Sequence, residues 1–132
     1  MLSGKGEYEE AKECYEKVLA GKMKVRGEDH RETLYTLNNL GGVYFKMGNY
    51  EKAMENFKRG LQGREKFFGE SHPDTLTSIM NIGNVYYRSN DYGKAEDLYE
   101  RALEGYEAQL GKDHRRTTEC AQNLNYCQST QK

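Results

Sequence analysis

An all-α fold built from repeated helix hairpins is predicted for this chain by three observations. The sequence repeats every 42 residues, apolar residues recur at helical spacing on both sides of a short break, and no stretch alternates like a strand. Gly27-Glu28-Asp29-His30, Gly69-Glu70-Ser71-His72 and Gly111-Lys112-Asp113-His114 begin at residues 27, 69 and 111. Residues 27–68 and 69–110 are identical at sixteen positions, far more than unrelated segments share. Fixed-period self-similarity of this size marks a solenoid, in which each unit buries its apolar face only against its neighbours. Such arrays offer extended surfaces to partners, which points toward binding and away from chemistry.

At 132 residues the chain is one domain or one segment of a longer array. Its parts are a partial repeat (1–26), two full repeats (27–68 and 69–110) and a capping helix (111–132). The first element is a lone helix over about 7–25. It aligns with the second helix of each full repeat through Tyr8, Tyr50 and Tyr92, Ala11, Ala53 and Ala95, Tyr15, Phe57 and Tyr99, and Leu19, Leu61 and Leu103. The first helix of repeat 27–68 carries Thr33-Leu34, Leu37, Leu40-Gly41 and Tyr44, matched by Thr75-Leu76, Ile79, Ile82-Gly83 and Tyr86. Met47-Gly48-Asn49 and Ser89-Asn90-Asp91 end these helices, because Gly, Asn and Asp tolerate the backbone of a helix stop. The second helices run from Tyr50 to about Phe67 and from Tyr92 to about Gln109. So short a link forces the pair antiparallel. The last helix, about 115–130, is polar (Thr117-Thr118-Glu119-Cys120-Ala121-Gln122-Asn123), as a solvating cap should be.

Small residues recur where helices cross: Gly41, Gly83, Ala53 and Ala95 leave room for a close approach, and Tyr44, Tyr86, Phe57 and Tyr99 fill the spaces between hairpins. Gly21, Gly63 and Gly105 lie inside the second helices, where each Gly costs about 1 kcal/mol relative to Ala. Their common phase predicts close backbone approach between units. Pro73, the only proline, falls at a helix start, where its missing N–H costs nothing. His30, His72 and His114 could suggest a metal ladder, but equivalent sites in packed helices stand about 10 Å apart. Bonds of about 2 Å cannot span that. The histidines read as helix-start packing, with no metal site.

The formal net charge is −1, from 20 Lys+Arg against 21 Asp+Glu. Without clustered positive charge the chain has no electrostatic reason to seek nucleic acid or anionic lipid. No stretch approaches the roughly 18 apolar residues of a membrane span, and Met1-Leu2-Ser3 opens no signal-peptide pattern. Cys14, Cys120 and Cys127 lack zinc-ligand spacing and read as small residues in a reducing, cytoplasmic compartment; a redox or metal role is the alternative. Cys120 and Cys127, seven apart, can share a helix face. Glu9-Glu10, Glu13 and Glu16 interleave with Lys12 and Lys17 as a solvated face. Neither a nucleophile turn nor a phosphate loop after a strand is present. The chain reads as non-enzymatic and needs no cofactor.

Leu37-x-x-Leu40-Gly41-x-x-Tyr44, then Gly48-x-Tyr50, Ala53 and Phe57, resembles the tetratricopeptide repeat. Ile79-x-x-Ile82-Gly83-x-x-Tyr86 with Tyr92, Ala95, Tyr99 and Ala102 does so again. Leu37 and Ile79 stand where that family often has Trp, and its commonest period is about 34 residues. The longer unit, with Gly-x-x-His-(Pro)-x-Thr-Leu between repeats, looks like the kinesin-light-chain variety, as does Asp97-Leu98-Tyr99-Glu100-Arg101-Ala102-Leu103. The resemblance implies a right-handed α-α superhelix, a tetratricopeptide solenoid that serves as a protein–protein interaction scaffold. Its motifs specify fold better than partner.

In such proteins the first helices line a concave groove for an extended peptide or a partner helix. By position the groove would show Tyr35, Asn38, Gly42, Phe45 and Lys46, then Thr77, Met80, Asn84, Tyr87 and Arg88. Asn39, Asn81 and Asn123 form a ladder beside it. Each Asn either pairs with the backbone of an extended ligand or ties its helix to the neighbouring hairpin. Lys46 and Arg88, beside Phe45 and Tyr87, suit an acidic peptide with an apolar anchor; solvated helix ends are the plainer reading. A carboxylate clamp of the chaperone-binding type is not expected, because its three cationic positions hold Glu119, Asn123 and Asn38, with Gly42 where that clamp has Asn.

The lone first helix leaves Tyr8, Ala11, Tyr15, Val18 and Leu19 with less cover than their equivalents. Two expectations follow. Either further repeats lie upstream, or chains associate end to end as a homo-oligomer through Tyr8, Tyr15 and Leu124, the first helix completing a hairpin with another copy's last helix.

Overall fold

The computed structural model describes residues 4–26 and 30–131, so Met1-Leu2-Ser3 and the Gly27-Glu28-Asp29 part of the first linker motif lie outside the described residues. Among the described residues there are six helices and no strand: α1 (Gly4–Arg26), α2 (Arg31–Lys46), α3 (Tyr50–Phe68), α4 (Pro73–Arg88), α5 (Tyr92–Leu110) and α6 (Arg115–Thr130). They fall into two compact units, residues 1–67 and 68–132.

Each first-type helix starts on a histidine. Nδ1 of His30, His72 and His114 accepts the backbone N–H of Glu32, Asp74 and Arg116 at 3.1, 3.0 and 3.1 Å. This satisfies one of the N–H groups that a helix start leaves orphaned. The equal spacing of the histidines therefore reflects one cap used three times. Pro73 occupies the first turn of α4, as its fixed φ favours. At the other end, Gly48 (φ 83°) and Asn90 (φ 67°) take the left-handed conformation. The N–H groups of Asn49 and Asp91 then reach back to the carbonyls of Tyr44 and Tyr86, both at 2.9 Å. Asn49 and Asp91 turn directly to the next helix, accepting the N–H of Lys52 and Lys94 on their side chains. One helix stops and the next begins within three residues.

In residues 1–67, α2 and α3 run antiparallel because Leu34 lies against Gly63 and Gly41 against Phe57. A Cβ on Gly63 would come 2.2 Å from Leu34 Cδ2, and one on Gly41 would come 2.7 Å from the Phe57 ring. In residues 68–132 the same pairs recur on α4 and α5: Gly105 under Leu76 at 2.6 Å and Gly83 against Tyr99 at 3.0 Å. Leu34, Leu76, Ala53 and Ala95 are almost wholly buried there. The mid-helix glycines thus serve the interior of a hairpin, where a leucine of the first helix enters a notch in the second. This corrects the expectation of backbone approach between units. Gly21 keeps the same phase, yet among the described residues no atom lies within 4 Å of its Cβ position.

α6 packs antiparallel on α5 through Thr117, Cys120, Leu124 and Cys127. The Cys120 and Cys127 thiols donate to the carbonyls of Tyr99 (3.5 Å) and Tyr92 (3.3 Å). Leu19 is buried at 8% exposure, contrary to the thin cover expected for it. It lines a cavity of about 310 Å³ with Met23, Leu40, Tyr44, Asn56 and Arg59. α1 packs on α2, a neighbour from which the sequence reading took no cover for Leu19.

Two outcomes test this packing in chemical denaturation. Gly63→Ala and Gly105→Ala should each lose about 1–3 kcal/mol, because overpacking against a fixed leucine outweighs the propensity gain. Gly21→Ala, in open space, should gain about 1 kcal/mol. Thr75 Oγ1 donates to Gly69 O at 2.8 Å, whereas the equivalent buried hydroxyl of Thr117 has no partner among the described residues. Thr117→Val should therefore gain about 1 kcal/mol and Thr75→Val lose about as much.

Candidate functional site

Three contacts tie α4 to α6 as parallel neighbours. Arg116 meets Asp74 at 3.3 Å, Asn123 Nδ2 reaches Asn84 Oδ1 at 3.5 Å, and the Tyr87 hydroxyl bonds Thr130 at 3.2 Å. These bring Asn84, Tyr87, Arg88 and Asn123 of the expected site onto one face of the unit 68–132. Asn84 is held most firmly, since Tyr99 also donates its hydroxyl to Oδ1 at 2.5 Å. Pinned twice on its oxygen, its amide NH₂ carries no bond among the described residues, so it is aimed as a donor. The Asn123 member of the ladder thus contacts α4. Asn81 is half-buried and engaged in the fold.

Tyr87 packs edge-on against Tyr92 at 5.4 Å, so its ring is braced by the start of α5. Arg88 ends α4, exposed, where a cation also complements the carbonyl end of the helix. Tyr126 is 69% exposed on α6 at the register of Asn84. The sequence reading passed over it, although adding one period to 84 points to it.

In the unit 1–67, α2 carries the corresponding row. Asn38 and Asn39 are half-buried, Lys46 is exposed and Phe45 is tilted against Tyr50 at 5.6 Å. Gly42 stands where α4 has Asn84, so α2 offers no equivalent donor there. Tyr35, 62% exposed, is its projecting aromatic. The cavity behind α2 is rimmed by Glu16 and Glu55 with Lys52 and Arg59, so its charge favours neither sign. Among the self-association candidates Tyr8 and Tyr15 are half-buried on α1, and Leu124 is buried in the stripe facing α5. Among the described residues no three His, Cys, Asp or Glu side chains converge as a metal site, and no helix is long and apolar enough to cross a membrane.

The tetratricopeptide-repeat family model matches residues 1–66, 34–108 and 80–132, overlapping segments that together span the chain. Among solved structures, BtubC (BKLC) from P. vanneervenii superposes with a TM-score of 0.86 at 22% identity, over 94% of this chain and 50% of that one. Kinesin-light-chain-type, nearly identical TPR-like repeats of Podosopora anserina superpose with a TM-score of 0.84 at 22% identity, over 92% of this chain and 58% of theirs. The chain spans little more than half the length of those structures, and at that identity the likeness is one of fold. No curated protein matches the sequence.

The three thiols differ in reach. Burial, helped by the Glu119 carboxylate, pushes Cys120 up to about 12, and burial beside Glu96 also raises Cys127. Cys14 is exposed on α1. Since the thiolate is the reactive form, an alkylating reagent at pH 8 should add one label to the native protein, at Cys14. Cys120 and Cys127 should follow only after unfolding, as counted by mass spectrometry; rapid native labelling of either would contradict the α5–α6 packing.

Proposed function

Because the chain belongs to the tetratricopeptide-repeat family, whose fold is a scaffold for protein–protein interaction, we propose that its α4–α6 face binds an extended peptide. The Asn84 amide carries this reading: fixed by Tyr99 and Asn123 on its oxygen, it offers NH₂ donors to a ligand carbonyl without reorganising. Preorganised donors cost little ordering entropy on binding. Arg88 supplies the charge, so the peptide is acidic, and Tyr87 with the projecting Tyr126 supplies the surface for one bulky apolar anchor. No catalytic role is assigned to the face. The α2 row, with Lys46 and Phe45 but no counterpart to Asn84, is the weaker half of the same pattern.

A fluorescently labelled acidic peptide with a single Leu or Trp, titrated by polarisation, tests this. Arg88→Glu should weaken binding more than tenfold, Asn84→Ala several-fold, and Lys46→Glu less than either, with thermal midpoints of the two charge variants close to the parent. Salt should weaken binding, because the charge pair is solvent-exposed. Affinity unchanged by Arg88→Glu would sink the proposal.

A further inference from the structure

The cavity of about 310 Å³ in the unit 1–67 joins an apolar floor to two buried polar atoms that the fold leaves unengaged. Leu19, Leu40 and Tyr44 are buried there, and Met23 is half-buried. Asn56, 8% exposed, spends its amide N–H on the carbonyl of Lys52 at 2.8 Å. Its Oδ1 makes no hydrogen bond among the described residues, and neither does the hydroxyl of Tyr44, itself 6% exposed. Neither atom is sealed off, unlike Thr117 Oγ1, so a molecule in the cavity can reach both. The hairpin does not require a polar residue at this position, because the next repeat has Leu98 there.

Formal charge around the rim cancels, with Glu16 and Glu55 against Lys52 and Arg59. Both cations are also engaged by the fold: Lys52 stands over the Tyr44 ring at 5.6 Å, and Arg59 donates to Met23 Sδ at 3.5 Å. On α1 the lining residues Glu16, Leu19, Ala20 and Met23 lie on a side of the helix turned away from Tyr15, Val18 and Gly21. Whatever packs on that other row leaves the cavity as it is.

We propose that this cavity binds a neutral small molecule of two fused aromatic rings that carries a hydroxyl group. Volume sets the size, since a cavity of about 150 Å³ holds one benzene and this one has about 310 Å³. Leu19, Leu40 and Tyr44 take the rings, and the Met23 thioether favours an aromatic neighbour. A hydroxyl is the polar handle that fits: it donates to Asn56 Oδ1, which only accepts, and accepts from the Tyr44 hydroxyl. The balanced rim offers no counter-charge to an ionised ligand.

The probe is 2-naphthol, into which the intact protein is titrated while the probe's own fluorescence is read; the chain has no tryptophan to obscure it. Saturable one-to-one binding is expected, several-fold tighter than for naphthalene and more than tenfold tighter than for anionic 2-naphthoate. Asn56→Leu installs the residue of the next repeat and should weaken 2-naphthol several-fold while leaving naphthalene unchanged. Ala20→Trp changes only the exposed rim, so it tests the site apart from any change in the core, and it should block both ligands. Absence of saturable 2-naphthol binding would overturn the proposal, as would equal affinity in the parent and Ala20→Trp. Loss of naphthalene together with 2-naphthol in Asn56→Leu would overturn the assigned hydrogen bond, and equal binding of 2-naphthoate would overturn the preference for a neutral ligand.

Discussion

Everything regular in this protein rests on one steric fit: a leucine from the first helix of a hairpin seated in a glycine notch of the second. Leu34 on Gly63 and Leu76 on Gly105 leave no room for even a methyl group. A second glycine, on the opposite helix, admits a ring from the other side: Gly41 takes Phe57 and Gly83 takes Tyr99. The two contacts lie two helical turns apart, so together they fix both the distance between the helices and their slide along one another. Hydrophobic burial alone would leave that slide loose, because apolar area does not depend sharply on register. Glycine is a poor helix residue, and its presence in mid-helix marks where close fit outweighs propensity.

The ends of the helices then only have to close the hairpin without strain. The His caps begin the first helices. The left-handed residues Gly48 and Asn90 stop them, and Asn49 and Asp91 begin the second ones. Lys52 and Lys94 carry the equivalence further, each placed over the ring of Tyr44 or Tyr86 at 5.6 and 5.4 Å. These local devices repeat at the same period as the core, so local preference and packing specify the same structure. Where the copies diverge, a local rule is broken. The Thr117 hydroxyl has lost the acceptor that Thr75 finds in Gly69.

Legibility in the sequence followed the same division. Helix limits, antiparallel pairing and the turns were readable because they depend on residues that recur in phase. The role of Gly63 and Gly105 was readable only as closeness. Which atom fills the space depends on side-chain direction, and a period cannot report that. The histidine caps were placed at helix starts, but the Nδ1 acceptor emerges only from the backbone angles. Asn84 was one groove residue among several in the sequence. Its double anchoring needs Tyr99 from α5 and Asn123 from α6, a convergence of three helices that no local pattern encodes. Leu19 failed for a related reason, since α1 packs on α2, a contact between repeats that no local pattern encodes.

A repeat of this kind separates two sets of positions. The residues that close the hairpin are nearly fixed from copy to copy, while a second row along the first helices varies. It reads Tyr35, Asn38, Gly42 on α2, Thr77, Met80, Asn84 on α4 and Glu119, Gln122, Tyr126 on α6. Within that row Asn84 and Tyr126 stand where α2 has Gly42, so the copies differ in the groups they present while the hairpin core stays the same. The fixed set works by exclusion: at Gly41 and Gly83 a ring of the second helix fills the space that any larger residue would need, and at Gly63 and Gly105 a leucine does so. Specificity of pairing obtained in this way needs few favourable contacts, because a wrong register is rejected by sterics.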